Sequence, residues 1–160
     1  VEVIILNKYE KLCQSAFDTN VDIVNYPFSG TRIKGLYCDG NVAISNDIET
    51  DTERVCILAE ELGHYATSSG NILDQSSTSN RKQEMVARLW AYNNLIGLAG
   101  ILDCYRAGCH TIYEMADHLE VTEEFLVDAL ACYKSKYGVC TQFDNYVIYF
   151  EPELSVLELR

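Results

Sequence analysis

Apolar residues recur at helical spacing from the start of the chain, at Tyr9, Leu12, Cys13, Ala16 and Phe17, which predicts a helix over about residues 8–18. Asn25-Tyr26-Pro27 then turns the chain into an extended stretch. Residues 33–38 and 41–45 read as two strands, because Asp39-Gly40 between them is a strong signal for a tight hairpin. The next helix is expected to begin near Asp51, where Thr50-x-x-Glu53 forms a capping box ahead of an apolar-periodic run. At about 100° per residue, Val55, Leu58, Ala59, Leu62 and Ala66 make one stripe, and Glu60, Glu61 and His64 gather on the opposite side.

Residues 67–80 are rich in Ser, Thr, Asn and Gly, long for a helix connection and able to wall a cleft. Asn80 with Gln83 is the expected N-cap of a helix through Leu95, which puts Glu84 in its first turn. Helical patterns follow to Arg106, over 111–119, and over 122–137 with Thr122 as N-cap. Residues 139–143 and 146–150 around Asp144-Asn145 read as a closing hairpin. The predicted fold class is α+β: a small antiparallel sheet packed on the helices that carry Glu60, Glu61, His64 and Glu84, then a helical portion with a winged-helix outline. The division expected is residues 1–98 and 99–160.

The chain has 160 residues, 48% of them hydrophobic, enough for a sizeable core. No apolar run reaches the roughly 18 residues of a membrane span, and the first residues lack the basic flank of a signal peptide. A soluble cytoplasmic protein is the expectation. Seven cysteines (Cys13, Cys38, Cys56, Cys104, Cys109, Cys132 and Cys140) are odd in number and scattered, so reduced thiols are expected. Cys104 and Cys109 form the closest pair, with His110 beside them.

The formal charge of −12 argues against nucleic acid, whose phosphates are bound by clustered Lys and Arg. Residues 111–138 carry Glu114, Asp117, Glu120, Glu123, Glu124 and Asp128 against Lys134 and Lys136, which favours packing or protein contact over a DNA-reading helix. His110 and His118 read as loop and helix-surface residues. A net acidic surface also suits a basic protein partner.

Glu60-Glu61-Leu62-Gly63-His64 has the spacing of the zinc-peptidase motif His-Glu-x-x-His, with glutamate in place of the first histidine. A hydrolytic zinc site requires three protein ligands, an open position and a base. Glu60, His64 and Glu84 could supply the ligands and Glu61 the base; Asp74, in the polar connection, is an alternative to Glu60. Two carboxylate ligands acidify water less than imidazoles do, and a harder ion such as manganese would also suit them. Read blandly, Glu60 and Glu61 are solvated helix charge, and Glu84 complements a helix N-terminus.

Three stretches taken together resemble the ImmA/IrrE family of metallopeptidases, especially its phage and mobile-element members: Lys34 to Gly40, Ile57 to Tyr65, and Arg81-Lys82-Gln83-Glu84 continuing to Ala87, Trp90 and Ala91. By position, the resemblance implies that His64 is the second histidine ligand, Glu61 the general base and Glu84 the glutamate ligand. Glu60 stands where the first histidine belongs. The implied function is a zinc-dependent endopeptidase that cleaves a repressor of a phage or mobile element. The alternative is a catalytically inactive relative that binds a regulatory protein.

Overall fold

The computed structural model describes residues 4–68 and 77–160, and the chain divides into two compact units, Val1–Ala91 and Tyr92–Arg160. Among the described residues, six helices and six strands make an α+β fold, as the periodicities predict. No helix among the described residues is long and apolar enough to cross a membrane.

The first unit opens with α1 (Lys8–Asp18), whose start is fixed by a full capping box: Asn7 Oδ1 accepts the Glu10 N–H, and the Glu10 carboxylate accepts the Asn7 N–H, both at 2.8 Å. Strands β1 (Asp22–Tyr26), β2 (Gly35–Cys38) and β3 (Asn41–Ser45) form one sheet in the order β1-β3-β2. The expected hairpin is present, and its turn has positive φ at both Asp39 (47°) and Gly40 (78°). The extended stretch before it is also a strand, parallel to β3, so the sheet is mixed. Pro27 ends β1 but does not prevent residues 22–26 from pairing at the sheet edge.

Helix α2 (Asp51–Ser68) begins where the capping signal places it, with Thr50 Oγ1 accepting the Glu53 N–H at 3.2 Å. The Glu53 carboxylate is held by Lys34. Val55, Leu58, Ala59 and Leu62 are buried and face α1 and the sheet. Ala66, expected on the same stripe, is exposed, because the helix outruns the core it packs on. Helix α3 (Ser77–Leu95) starts ahead of the expected N-cap at Asn80, so Glu84 lies inside the helix and not in its first turn. A dipole role for Glu84 therefore has no basis.

In the second unit, α4 (Gly97–Arg106), α5 (Ile112–Leu119) and α6 (Glu123–Tyr137) precede a second sheet of β4 (Cys140–Phe143), β5 (Tyr146–Tyr149) and β6 (Ser155–Glu158). Thr111 and Thr122 cap α5 and α6 through their hydroxyls. Ile96 separates α3 from α4, and Gly97, at φ 62°, opens α4. Leu126, Tyr133 and Ile148 are fully buried here, and the Tyr133 hydroxyl accepts the Gly97 N–H at 3.1 Å. The hairpin β4–β5 was legible in the sequence; β6 was not, since its Ser-Val-Leu-Glu is short and mostly exposed.

Candidate functional site

The site is built on an unusually close helix contact. A Cβ added at Gly63 of α2 would stand 2.3 Å from the carbonyl oxygen of Ala87 on α3, so only glycine allows the two backbones to approach this far. Ala87 and Ala91, both fully buried, give α3 a flat small-residue face for that contact. The neighbour of Gly63 on α2 is His64, and Glu84 lies one turn before Ala87 on α3. As a result His64 Nε2 and Glu84 Oε2 are 3.3 Å apart. The other carboxylate oxygen of Glu84 accepts a hydrogen bond of 2.8 Å from Arg88 Nε.

Glu61 sits one turn before His64 and points toward the free edge of β2. Its carboxylate accepts the Tyr37 N–H of that strand. Gly35 of the same strand leaves the space it fills, since a Cβ there would lie 2.9 Å from Glu61 Cγ and 3.0 Å from Glu61 Oε1. Burial raises the pKa of Glu61 from 4.5 to about 7; the Tyr37 N–H acts against the shift, and the charges of Glu60 and Glu84 add to it. The polar face of α2 is thus half-buried between a strand and a helix, and is not the solvated face that the sequence allows. Tyr37 and Tyr65 meet edge to face, with ring centroids 5.8 Å apart, on this side of the sheet.

Of the sequence-predicted ligands, the structure brings His64 and Glu84 together, with Glu61 alongside. Two ligand atoms at about 2.1 Å from a tetrahedral ion lie roughly 3.4 Å apart, so the imidazole and carboxylate suit a shared divalent cation as well as a hydrogen bond. Glu60 is half-buried on the same helix. Among the described residues no group of three or more His, Cys, Asp or Glu side chains is gathered to hold a metal. Asp74 lies outside the described residues.

Sequence reasoning passed over Arg88. Its signal was the spacing Glu84-x-x-x-Arg88, which pairs the two on one helical face. The Tyr37 N–H had no signal at all, because a backbone donor is the same whatever the side chain. His110 and His118 are exposed, in a loop and on α5 respectively.

No curated protein and no solved structure matches the chain. The profile of the peptidase M78 family, described as the IrrE N-terminal-like domain, matches residues 16–131, a span that includes both site helices and the strand edge beside them. The chain therefore belongs to this metallopeptidase family, the one whose motif the residues from Glu60 to His64 and Glu84 to Ala91 resemble.

Proposed function

We propose that the chain is a metal-dependent endopeptidase acting on a protein substrate in the cytoplasm, with His64, Glu84 and Glu60 as the protein ligands of a divalent ion, zinc first, and Glu61 as the general base. The observation that carries this reading is the contact of the His64 imidazole with the Glu84 carboxylate at 3.3 Å, with the Glu61 carboxylate beside them, its pKa pushed up to about 7 by burial. A base whose pKa lies near neutrality takes and returns a proton at physiological pH. Glu61 would remove the proton from the attacking water and deliver it to the leaving amine. The bound ion would supply electrophilic polarisation of the scissile carbonyl. His64 and Glu84 hold their positions through the Gly63–Ala87 contact, and Arg88 orients the Glu84 carboxylate. A repressor encoded with the protein is the substrate that the family resemblance supports.

Elemental mass spectrometry of protein purified without chelator should find near-stoichiometric zinc in the wild type and none in His64→Ala. Glu61→Gln should keep the metal and lose cleavage; undiminished cleavage by that variant removes Glu61 from the mechanism. Loss of metal in Glu60→Ala would support the third ligand, and full retention would exclude it. A second reading is a catalytically silent relative that binds its regulator, favoured by the glutamate at the first motif position and by the absence of a three-ligand group among the described residues. Capture of the regulator that is indifferent to chelator and yields no fragments would select it.

A further inference from the structure

Away from the two site helices, the C-terminal end of α4 brings two cysteines together. Gly108, at φ 77°, reverses the chain there. The Gly108 N–H bonds the Tyr105 carbonyl at 3.1 Å, and the Cys109 N–H bonds the Cys104 carbonyl at 3.0 Å. This pair of bonds is a Schellman closure, which sets the side chain after the reversing glycine against the one on the last helical turn. That contact is ordinarily apolar; here both positions are cysteine. The two thiols interact directly, side chain to side chain, the approach that a disulfide requires.

The thiols also converge on neighbouring carbonyls of α5. Cys104 Sγ lies 3.9 Å from the Met115 oxygen and Cys109 Sγ lies 3.7 Å from the Glu114 oxygen. Both line one cavity of about 310 Å³ within the second unit, which His110 and Glu153 also border. Cys104 is buried, whereas Cys109 is partly open. All seven cysteines are free thiols in this structure.

We propose that Cys104 and Cys109 are an oxidation site, a dithiol that a small peroxide entering this cavity converts to a disulfide. The Cys109 sulfur attacks the O–O bond of the peroxide, becoming a sulfenic acid and releasing water or the corresponding alcohol. The Cys104 sulfur then displaces hydroxide from the Cys109 sulfur, the S–S bond forms, and its proton leaves with the hydroxide as water. Two thiols are oxidised and the peroxide bond is reduced. The order follows from access, and from Cys104, whose pKa is raised to about 12 by burial first and by its contact with Cys109, so that it remains a thiol until its partner is activated. The bond would staple the end of α4 to the loop that leads into α5.

The test treats the whole reduced chain with an equimolar amount of hydrogen peroxide at neutral pH, blocks remaining thiols with iodoacetamide, and maps tryptic peptides by mass spectrometry. Cleavage after Arg106 separates the two cysteines, so the expected product joins residues 89–106 to residues 107–134, with fragmentation placing the link at Cys109 and not at Cys132. Cys109→Ser should abolish the link. Cys104→Ser should leave a Cys109 sulfenic acid that a cyclic dione traps. The same treatment in urea should scatter the oxidation over other cysteines. Full alkylation of Cys104 and Cys109 in the treated wild type, a lasting sulfenic acid at Cys109 in the wild type, or a dominant link to any other cysteine would overturn the assignment.

Discussion

Replacing Gly63 by alanine tests the helix contact on which the site depends. The added methyl would lie 2.3 Å from the Ala87 carbonyl oxygen and 3.0 Å from its carbon, both backbone atoms that no rotamer change can move. An ordinary carbon–oxygen contact is about 3.3 Å or more, so α2 and α3 must part by roughly 1 Å. Overpacking of this kind costs about 1–3 kcal/mol, while alanine in a helix interior regains about 1 kcal/mol over glycine. Because the obstacle is backbone, the upper end applies, and a net loss of about 2 kcal/mol is expected. For a chain of this size that is a fall in Tm of about 4–8 °C.

Gly100 of α4 supplies the control. It too is a buried helical glycine, but the nearest atom to its missing Cβ is Leu119 Cδ2 at 3.2 Å, the far end of a flexible side chain. Gly100→Ala should therefore be neutral or stabilising by up to about 1 kcal/mol. Urea titration of both variants, with unchanged m, reads the difference directly. Zinc content should fall in Gly63→Ala alone, since parting the helices stretches the 3.3 Å contact between His64 and Glu84. If Gly63→Ala is as stable as Gly100→Ala, the two helices do not touch through backbone at this point and the account of how the site is positioned fails.

Glu61→Gln should stabilise the chelated protein in a pH-dependent way. The folded state holds a proton on Glu61 between pH 4.5 and about 7 that the unfolded state has lost, so wild-type stability declines across that window and the glutamine variant escapes the decline. The full shift corresponds to about 3 kcal/mol, and partial solvent access reduces the expected gain above pH 7 to about 1–2 kcal/mol, vanishing below pH 4.5; equal denaturation midpoints at pH 8 would contradict the burial of this carboxylate. Gly35→Ala would bring a methyl within 2.6 Å of Ile57 Cγ2 and 2.9 Å of Glu61 Cγ, at a cost of about 1–3 kcal/mol, and should drive Glu61 toward solvent. The pH-dependent gap between Glu and Gln at position 61 should then shrink in the Gly35→Ala background; an undiminished gap would mean that the strand does not crowd Glu61.

Local signals carried most of the fold. The capping residues Thr50, Thr111 and Thr122 and the Asp39-Gly40 turn each specify their element through bonds within a few residues, and they are legible for that reason. Pairing of β1 with β3 depends on the sheet that receives it, and residues 22–26 are exposed at four of five positions, so no alternation marks them as a strand. The start of α3 was misplaced for a related reason: Asn80 with Gln83 offers a credible cap, but the chain is already helical from Ser77. At the site, the spacing of Glu60, Glu61 and His64 was plain in the sequence. The environment of these side chains was not, because it is set by Gly35, Tyr37 and Ala87, residues whose part is to come close or to present backbone.

That environment bears on which of the two functional readings is the stronger. A protein that only docks a partner has no use for a carboxylate kept out of water beside two others, since such an arrangement lowers stability at neutral pH. Here Glu61 is buried against the β2 edge, where the glycine at position 35 is what lets the carboxylate fit, and the charges of Glu60 and Glu84 add to the effect of that burial. On the proposed reading, that cost yields a general base with a pKa near neutrality. Glutamate at position 60 adds to the cost, because its charge also raises the pKa of Glu61, whereas a neutral imidazole there would not. On the proposed reading, a divalent ion shared by Glu60, His64 and Glu84 would offset the crowded carboxylates, which the Arg88 guanidinium already does in part at Glu84. A gain in stability in Glu61→Gln accompanied by loss of cleavage would identify the strain as functional. The same gain with nothing lost would identify it as the residue of a chemistry that this chain does not perform.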